Sequence, residues 1–133
     1  MRTDDLESTG RGELMGSETV SPLREPPVRG VEHHGGAVVL RLTGELDLYN
    51  AGEVRSALVD ILANEPTRIV IDMSEVNFVD STALGVLIEA RSKLGRNDLL
   101  LAAPQLETRR TLQVSGLDRT LPVRDSVDEA LAG

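Results

Sequence analysis

The sequence predicts an α/β fold, a mixed sheet of four to five strands packed against about four helices in the order ββαβαβαβα. Three observations carry that prediction. Short apolar, β-rich runs recur along the chain, as in Ala37-Val38-Val39-Leu40 and Ile69-Val70-Ile71. Stretches with helical apolar spacing separate them, which implies right-handed crossovers and largely parallel strands. A Gly35-Gly36 pair near the start marks a tight turn, so the first two strands form a hairpin and the sheet is mixed.

The elements follow in order. A short strand runs from near Val28 to His34, and after the glycine turn a second runs from Ala37 to Leu42, ending at a Thr43-Gly44-Glu45 break. The first helix extends from Asn50 to Ala63. Asn50 is a good N-cap, and Glu53 three residues on completes a capping box. Val54, Ala57, Leu58, Ile61 and Leu62 form its apolar stripe, and Asn64-Glu65-Pro66 stops it. A buried strand from Ile69 to Asp72 leads into a polar connection, then Phe78-Val79. The second helix occupies about Thr82 to Leu94, with Leu84, Leu87, Ile88 and Leu94 inward and Gly95 as its C-cap. Asp98 to Ala102 is the next strand. Pro104 opens a third helical segment that passes through Leu112 to Gly116 with a weak apolar stripe. Leu121-Pro122-Val123 is a short strand whose proline suits an edge or an end. Ser126 and Glu129 form a capping box for a last short helix.

Residues 1–30 differ from the rest. They are rich in Gly, Ser, Glu and Arg, contain Pro22, Pro26 and Pro27, and lack a sustained apolar period, so they read as a flexible arm preceding a domain at residues 31–133.

Composition limits the function. A chain of 133 residues suits one domain of moderate core. With only Tyr49 and Phe78 as aromatics the core must be aliphatic, and a base-stacking platform is excluded. A formal charge of −8 opposes nucleic acid and anionic membrane as partners. The absence of cysteine removes disulfides, thiolate metal sites and cysteine nucleophiles. No apolar stretch approaches the roughly 20 residues that span a bilayer, and acidic residues replace an apolar signal core at the N-terminus, which together point to a cytoplasmic protein.

Catalysis finds little support. His33 and His34 are adjacent and point to opposite faces of a strand, a poor metal pair. Metalloprotease, nucleophile-elbow and phosphate-loop motifs are absent, and no cofactor is expected. Asp47, Asp72 and Asp80 fall at strand ends, where solvated turn residues are the simplest reading. The junction at Asp80-Ser81-Thr82 is more informative, because a strand exits there and a helix begins, the place where open α/β sheets meet ligands. Ser81 falls at or near the N-cap. Its plainest role is to cap free backbone N–H groups; a modified hydroxyl there would instead change the charge of a recognition surface.

Four segments, in order, carry a family pattern: Leu42-Thr43-Gly44-Glu45-Leu46-Asp47, Ile69-Val70-Ile71-Asp72-Met73-Ser74, Phe78-Val79-Asp80-Ser81-Thr82-Ala83-Leu84-Gly85, and Ser115-Gly116-Leu117. Over roughly Val31 to Ala132 the chain resembles the anti-sigma factor antagonists, bacterial proteins made of one STAS (sulphate transporter and anti-sigma antagonist) domain. The resemblance implies a STAS-type fold and a regulator of transcription and stress response that works by partner switching. In such proteins the unphosphorylated antagonist binds an anti-sigma factor, itself a serine kinase with a GHKL-type ATP fold, and so releases a sigma factor. The resemblance implies phosphorylation on Ser81, with Thr82 as a secondary acceptor, loss of binding once modified, and a separate serine phosphatase that restores it. It also implies partner contacts from Glu45, Leu46 and Asp47 and from Asp80, Ser81, Thr82, Ala83 and Gly85. Where this chain has Ala83, many relatives have glycine. A non-switching STAS scaffold, such as a stressosome-like subunit or a transporter accessory, is the alternative.

Overall fold

The computed structural model describes residues 24–95 and 98–132. Among them the elements run β1 (Val28–His34), β2 (Ala37–Leu46), α1 (Ala51–Leu62), β3 (Arg68–Val79), α2 (Ser81–Lys93), β4 (Asp98–Ala102), α3 (Leu106–Ser115), a 3₁₀ turn (Leu117–Arg119), β5 (Val123–Arg124) and α4 (Val127–Ala132). The five strands lie in sequence order across the sheet. The β1–β2 hairpin is antiparallel, with His34 opposite Ala37, and the other pairings are parallel. The expected order ββαβαβαβα and the mixed sheet are therefore observed.

Two-sided burial explains the apolar runs. In β2, Val38, Leu40, Leu42 and Leu46 face α1 and α2, whereas Val39 faces the other side. In β3 and β4 the same alternation sends Ile69, Ile71, Leu99 and Leu101 one way and Val70 and Leu100 the other. A strand covered on both faces reads as a continuous hydrophobic run rather than an alternating one. The larger core takes Val54, Leu58 and Ile61 from α1, Leu84, Val86 and Leu87 from α2 and Leu112 from α3. The smaller one lies under α4, where Ala130 is fully buried and Val127 and Leu131 pack beside it. Arg68 joins that layer to the sheet, donating from Nη1 to the Ala130 carbonyl at 2.7 Å while Nη2 pairs with Asp98.

The third strand departs from expectation. Residues 73–77, expected to be a polar connection, are strand, and β2 runs through the expected break at Thr43-Gly44-Glu45. Pairing passes from Arg41–Asp72 to Thr43–Glu75, and from Gly44–Val76 to Glu45–Phe78. Each step gives β3 one residue more than β2, the signature of a β-bulge. Ser74 N donates to Asp72 Oδ1 at 3.0 Å, which ties down the first bulge, and Gly44 accommodates a φ of +79° that side chains disfavour. Met73 and Val76 are consequently both buried although three residues apart. β4 pairs with β3 only as far as Asp72–Ala102, so beyond that point the ends of β2 and β3 run on together past the last β3–β4 pair.

Other expectations shift in detail. The described part of the expected arm, residues 24–30, is built into the sheet edge: Pro27 is buried, its carbonyl accepts from Thr43 N at 3.0 Å, and β1 starts at Val28. Residues 1–23 of that arm lie outside the described residues. The last strand is Val123–Arg124, with Pro122 just before it, its carbonyl accepting from Leu101 N. Ser126 Oγ caps α4 by accepting from Glu129 N at 3.1 Å, the serine's part of the expected capping box.

Ile71 sits in the central strand with no exposure. Ile71→Ala is expected to lower the unfolding free energy by about 2–5 kcal/mol, measured by urea denaturation.

Candidate functional site

The candidate site is built where β2 and β3 stop side by side. Leu46 pairs with Val79, and Asp80 N extends the ladder by donating to the Leu46 carbonyl at 2.9 Å. Asp80 is then the N-cap of α2: its backbone is extended, and its Oδ1 accepts from Ala83 N at 3.0 Å. Its Oδ2 accepts from Leu48 N at 3.1 Å, so one carboxylate joins the start of α2 to the loop after β2. Ser81 is therefore the first residue of the helix and not its cap. Ser81 and Thr82 are exposed.

Residues 45–50 form a turn held from inside. The buried Asn50 side chain donates to the Glu45 carbonyl at 2.8 Å and accepts from Asp47 N at 2.9 Å. It makes no hydrogen bond to α1, so the expected capping box with Glu53 is absent. The amide and carbonyl of the turn compete successfully for its two polar atoms. Asp47 Oδ1 accepts from Tyr49 N at 3.0 Å, and Oδ2 accepts from Arg24 Nη2 at 2.9 Å. The same Arg24 nitrogen donates to the Glu45 carbonyl at 2.9 Å.

These bonds occupy the backbone and leave apolar side chains outside. Leu48 is 60% exposed, Tyr49 69% and Phe78 52%. The chain contains one tyrosine and one phenylalanine, and both stand at this end of the sheet. Exposed aromatics cost solvation on a monomer and are enriched at the centres of interfaces. Beside Phe78 lies a shallow groove of about 110 Å³, lined by Asn77, Val79, Leu84, Glu107, Thr108, Thr111 and Leu112. Small-molecule sites usually measure roughly 300 Å³ or more. The arrangement therefore suits a protein surface better than an enclosed ligand.

Of the residues expected to meet a partner, Glu45, Ser81, Thr82 and Gly85 are exposed, and Asp47 and Asp80 are half-buried. Leu46 and Ala83 are core residues with 0% and 1% exposure, so their side chains are unavailable to a partner. Their burial instead fixes the strand end and the first turn of α2. Asp72, expected at a strand end, is mid-strand at the first bulge, buried, with Oδ2 at 3.4 Å from Arg41 Nε. Leu48, Tyr49 and Phe78 were not among the expected contacts. The signal available was placement: two scarce aromatics, each within three residues of an aspartate at a strand end.

His33 and His34 are exposed on β1, with His34 Nε2 at 3.4 Å from Glu32 Oε1. Among the described residues no group of three or more His, Cys, Asp or Glu side chains could hold a metal ion, and no helix is long and apolar enough to cross a membrane.

A family model described as the STAS domain matches residues 29–130. The anti-sigma-F factor antagonist RsfB of Mycobacterium tuberculosis is 35% identical over 104 residues, covering 77% of this chain and 85% of that protein. An anti-sigma F factor antagonist of Paenibacillus polymyxa is 30% identical over 104 residues, covering 76% and 89% respectively. The crystal structure of an anti-sigma factor antagonist from Mycobacterium paratuberculosis superposes with a TM-score of 0.72 at 35% identity, covering 77% of this chain and 88% of that one.

Asp80→Ala removes the α2 cap and the anchor of Leu48 together. It is expected to cost about 1–2 kcal/mol by chemical denaturation and to speed amide exchange at Leu48 and Ala83, whereas Asp80→Asn, which keeps an acceptor oxygen, costs less.

Proposed function

This chain belongs to the STAS domain family of anti-sigma factor antagonists, and on that premise we propose that it binds an anti-sigma factor through the ends of β2 and β3 and that phosphorylation of Ser81 abolishes the binding. The observation that carries the reading is the position of Ser81. It is the first residue of α2, exposed, with Asp80 beside it and the turn that displays Leu48 and Tyr49 joined to that aspartate. Gly85 lies one turn further on, so the two share a helix face. No atom lies within 4 Å of where a Gly85 side chain would start, so internal packing does not demand glycine there. Glycine in a helix interior costs about 1 kcal/mol relative to alanine, and its use here leaves a flat surface beside the hydroxyl.

The partner is an anti-sigma factor that is also a serine kinase of the GHKL type, and a serine phosphatase reverses the modification. The chain itself is a binding protein, not an enzyme, working in the cytoplasm on transcription. A phosphate on Ser81 brings about −1.5 to −2 charges into a surface that already carries Asp80, Asp47 and Glu45. Arg24 reaches this surface but is committed to Asp47 and the Glu45 carbonyl. A partner shaped around the neutral hydroxyl then meets bulk and repulsion. A loss of about 2.7 kcal/mol of binding energy weakens the complex about a hundredfold, enough to exchange partners. The helix N-terminus tolerates an anion, so the domain stays folded throughout.

Titration calorimetry with the cognate anti-sigma factor tests the switch. Ser81→Ala is expected to bind like the unmodified protein and Ser81→Asp about a hundredfold more weakly; kinase and ATP should place phosphate on Ser81 by mass spectrometry. Undiminished binding by Ser81→Asp would sink the switch and favour the scaffold. Separately, Tyr49→Ala is expected to weaken binding by at least about 1–2 kcal/mol while leaving the unfolding midpoint unchanged, because the side chain is exposed in the free protein.

A further inference from the structure

We propose that Arg24 is a positioning residue: it clamps the turn at residues 45–50 in the conformation that presents Leu48 and Tyr49 to the anti-sigma factor. This rests on the binding surface proposed above and adds the element that holds it in shape. Arg24 lies outside the four segments of the family pattern, 21 positions from Glu45 and 23 from Asp47 in the chain. A single guanidinium nitrogen nevertheless donates at 2.9 Å both to the Glu45 carbonyl and to Asp47 Oδ2.

Two features separate this contact from an ordinary surface ion pair. The acceptors are themselves structural. The Glu45 carbonyl also receives Asn50 Nδ2, and the Asp47 carboxylate receives Tyr49 N through its other oxygen. Fixing the Asp47 carboxylate from outside therefore fixes the amide of the most exposed aromatic. The approach of Arg24 is also preset. Pro27 is buried and its carbonyl bonds Thr43 N at 3.0 Å, which docks the chain just ahead of β1 along β2 and delivers residue 24 to the end of that strand. The side chains of Arg24 and Asp47 retain only 30% and 20% exposure, so the pair is partly shielded from solvent.

The charge balance fits a clamp as well. Asp80 and Asp47 accept successive backbone amides of the same turn, from Leu48 and Tyr49. Arg24 sets its positive charge against Asp47, one of these two carboxylates.

The test uses the full chain in four forms: Arg24→Ala, Arg24→Lys, Asp47→Asn and the double variant Arg24→Ala/Asp47→Asn. Arg24→Ala is expected to speed amide exchange at Asp47 and Tyr49 and to weaken anti-sigma binding, each about fivefold, with the global unfolding midpoint unchanged. Arg24→Lys, which keeps a charged donor, restores more than half of each effect. In the double variant the Arg24 effect is smaller than in the wild-type background, because the ion pair is already gone and only the bond to the Glu45 carbonyl is left to lose. Wild-type exchange at Tyr49 in Arg24→Ala, additive effects in the double variant, or faster exchange with undiminished binding would each overturn the clamp. A wild-type chain that binds no anti-sigma factor would instead overturn the binding surface, and exchange at Tyr49 in the unbound protein then judges the clamp alone.

Discussion

The two oxygens of the Asp80 carboxylate hold the start of α2 and the loop after β2 together. One accepts the amide of Ala83 and starts α2; the other accepts the amide of Leu48 and fixes the loop after β2. Because aspartate takes the cap, Ser81 moves one position into the helix. A serine at the N-cap directs its oxygen at the free amides of the first turn. At the first helical position its side chain is instead left to solvent, which is where a partner or a modifying enzyme can reach it. A one-residue shift in capping thus decides whether the hydroxyl is a structural group or a surface one.

That carboxylate can act only because two strand ends arrive together. The sheet body is covered on both faces, by α1, α2 and α3 on one side and α4 on the other. Past Asp72 the constraint changes. The first bulge in β3 lets Met73 and Val76 both fill the core while the strand continues beside β2. Phe78 and Glu45 therefore leave the core as neighbours, and the following residues, Asp80 and Asp47, receive backbone amides from one turn. Without the first bulge a strict period of two would place either Met73 or Val76 on the opposite face.

The sequence revealed what obeys a period and obscured what interrupts one. The strand at Asp98–Ala102 is an unbroken apolar run and the stripe of α1 keeps its helical spacing, and both are where the pattern placed them. The stretch 73–77 breaks alternation twice, so its polar residues resembled a loop. Asn50 has the chemistry of a cap, but the adjacent turn offered both a donor and an acceptor, and a local rule about helix starts does not see that competition. Asp72 looked like the end of a strand because the apolar run ends there, yet pairing with Arg41 lets the carboxylate stay buried mid-strand. Leu46 and Ala83 are buried and shape the surface from beneath, which a motif does not distinguish from contact. The bond from Arg24 to residues more than 20 positions away leaves no local trace in the sequence.

On the proposed reading, the switch needs no moving part in this domain. The cap of α2 is already supplied by Asp80, so a phosphate on Ser81 has no helix bond to displace. The turn at residues 45–50 is held by Asn50, Asp47 and Arg24, none of which bonds Ser81. The added charge accordingly falls on the binding partner and not on the fold. In that reading the exposed Leu48, Tyr49 and Phe78 would supply attraction that is insensitive to charge, while Ser81 would add a repulsion that is absent or present. Separating those two duties among different side chains allows one modification to reverse binding without loosening the domain that presents it.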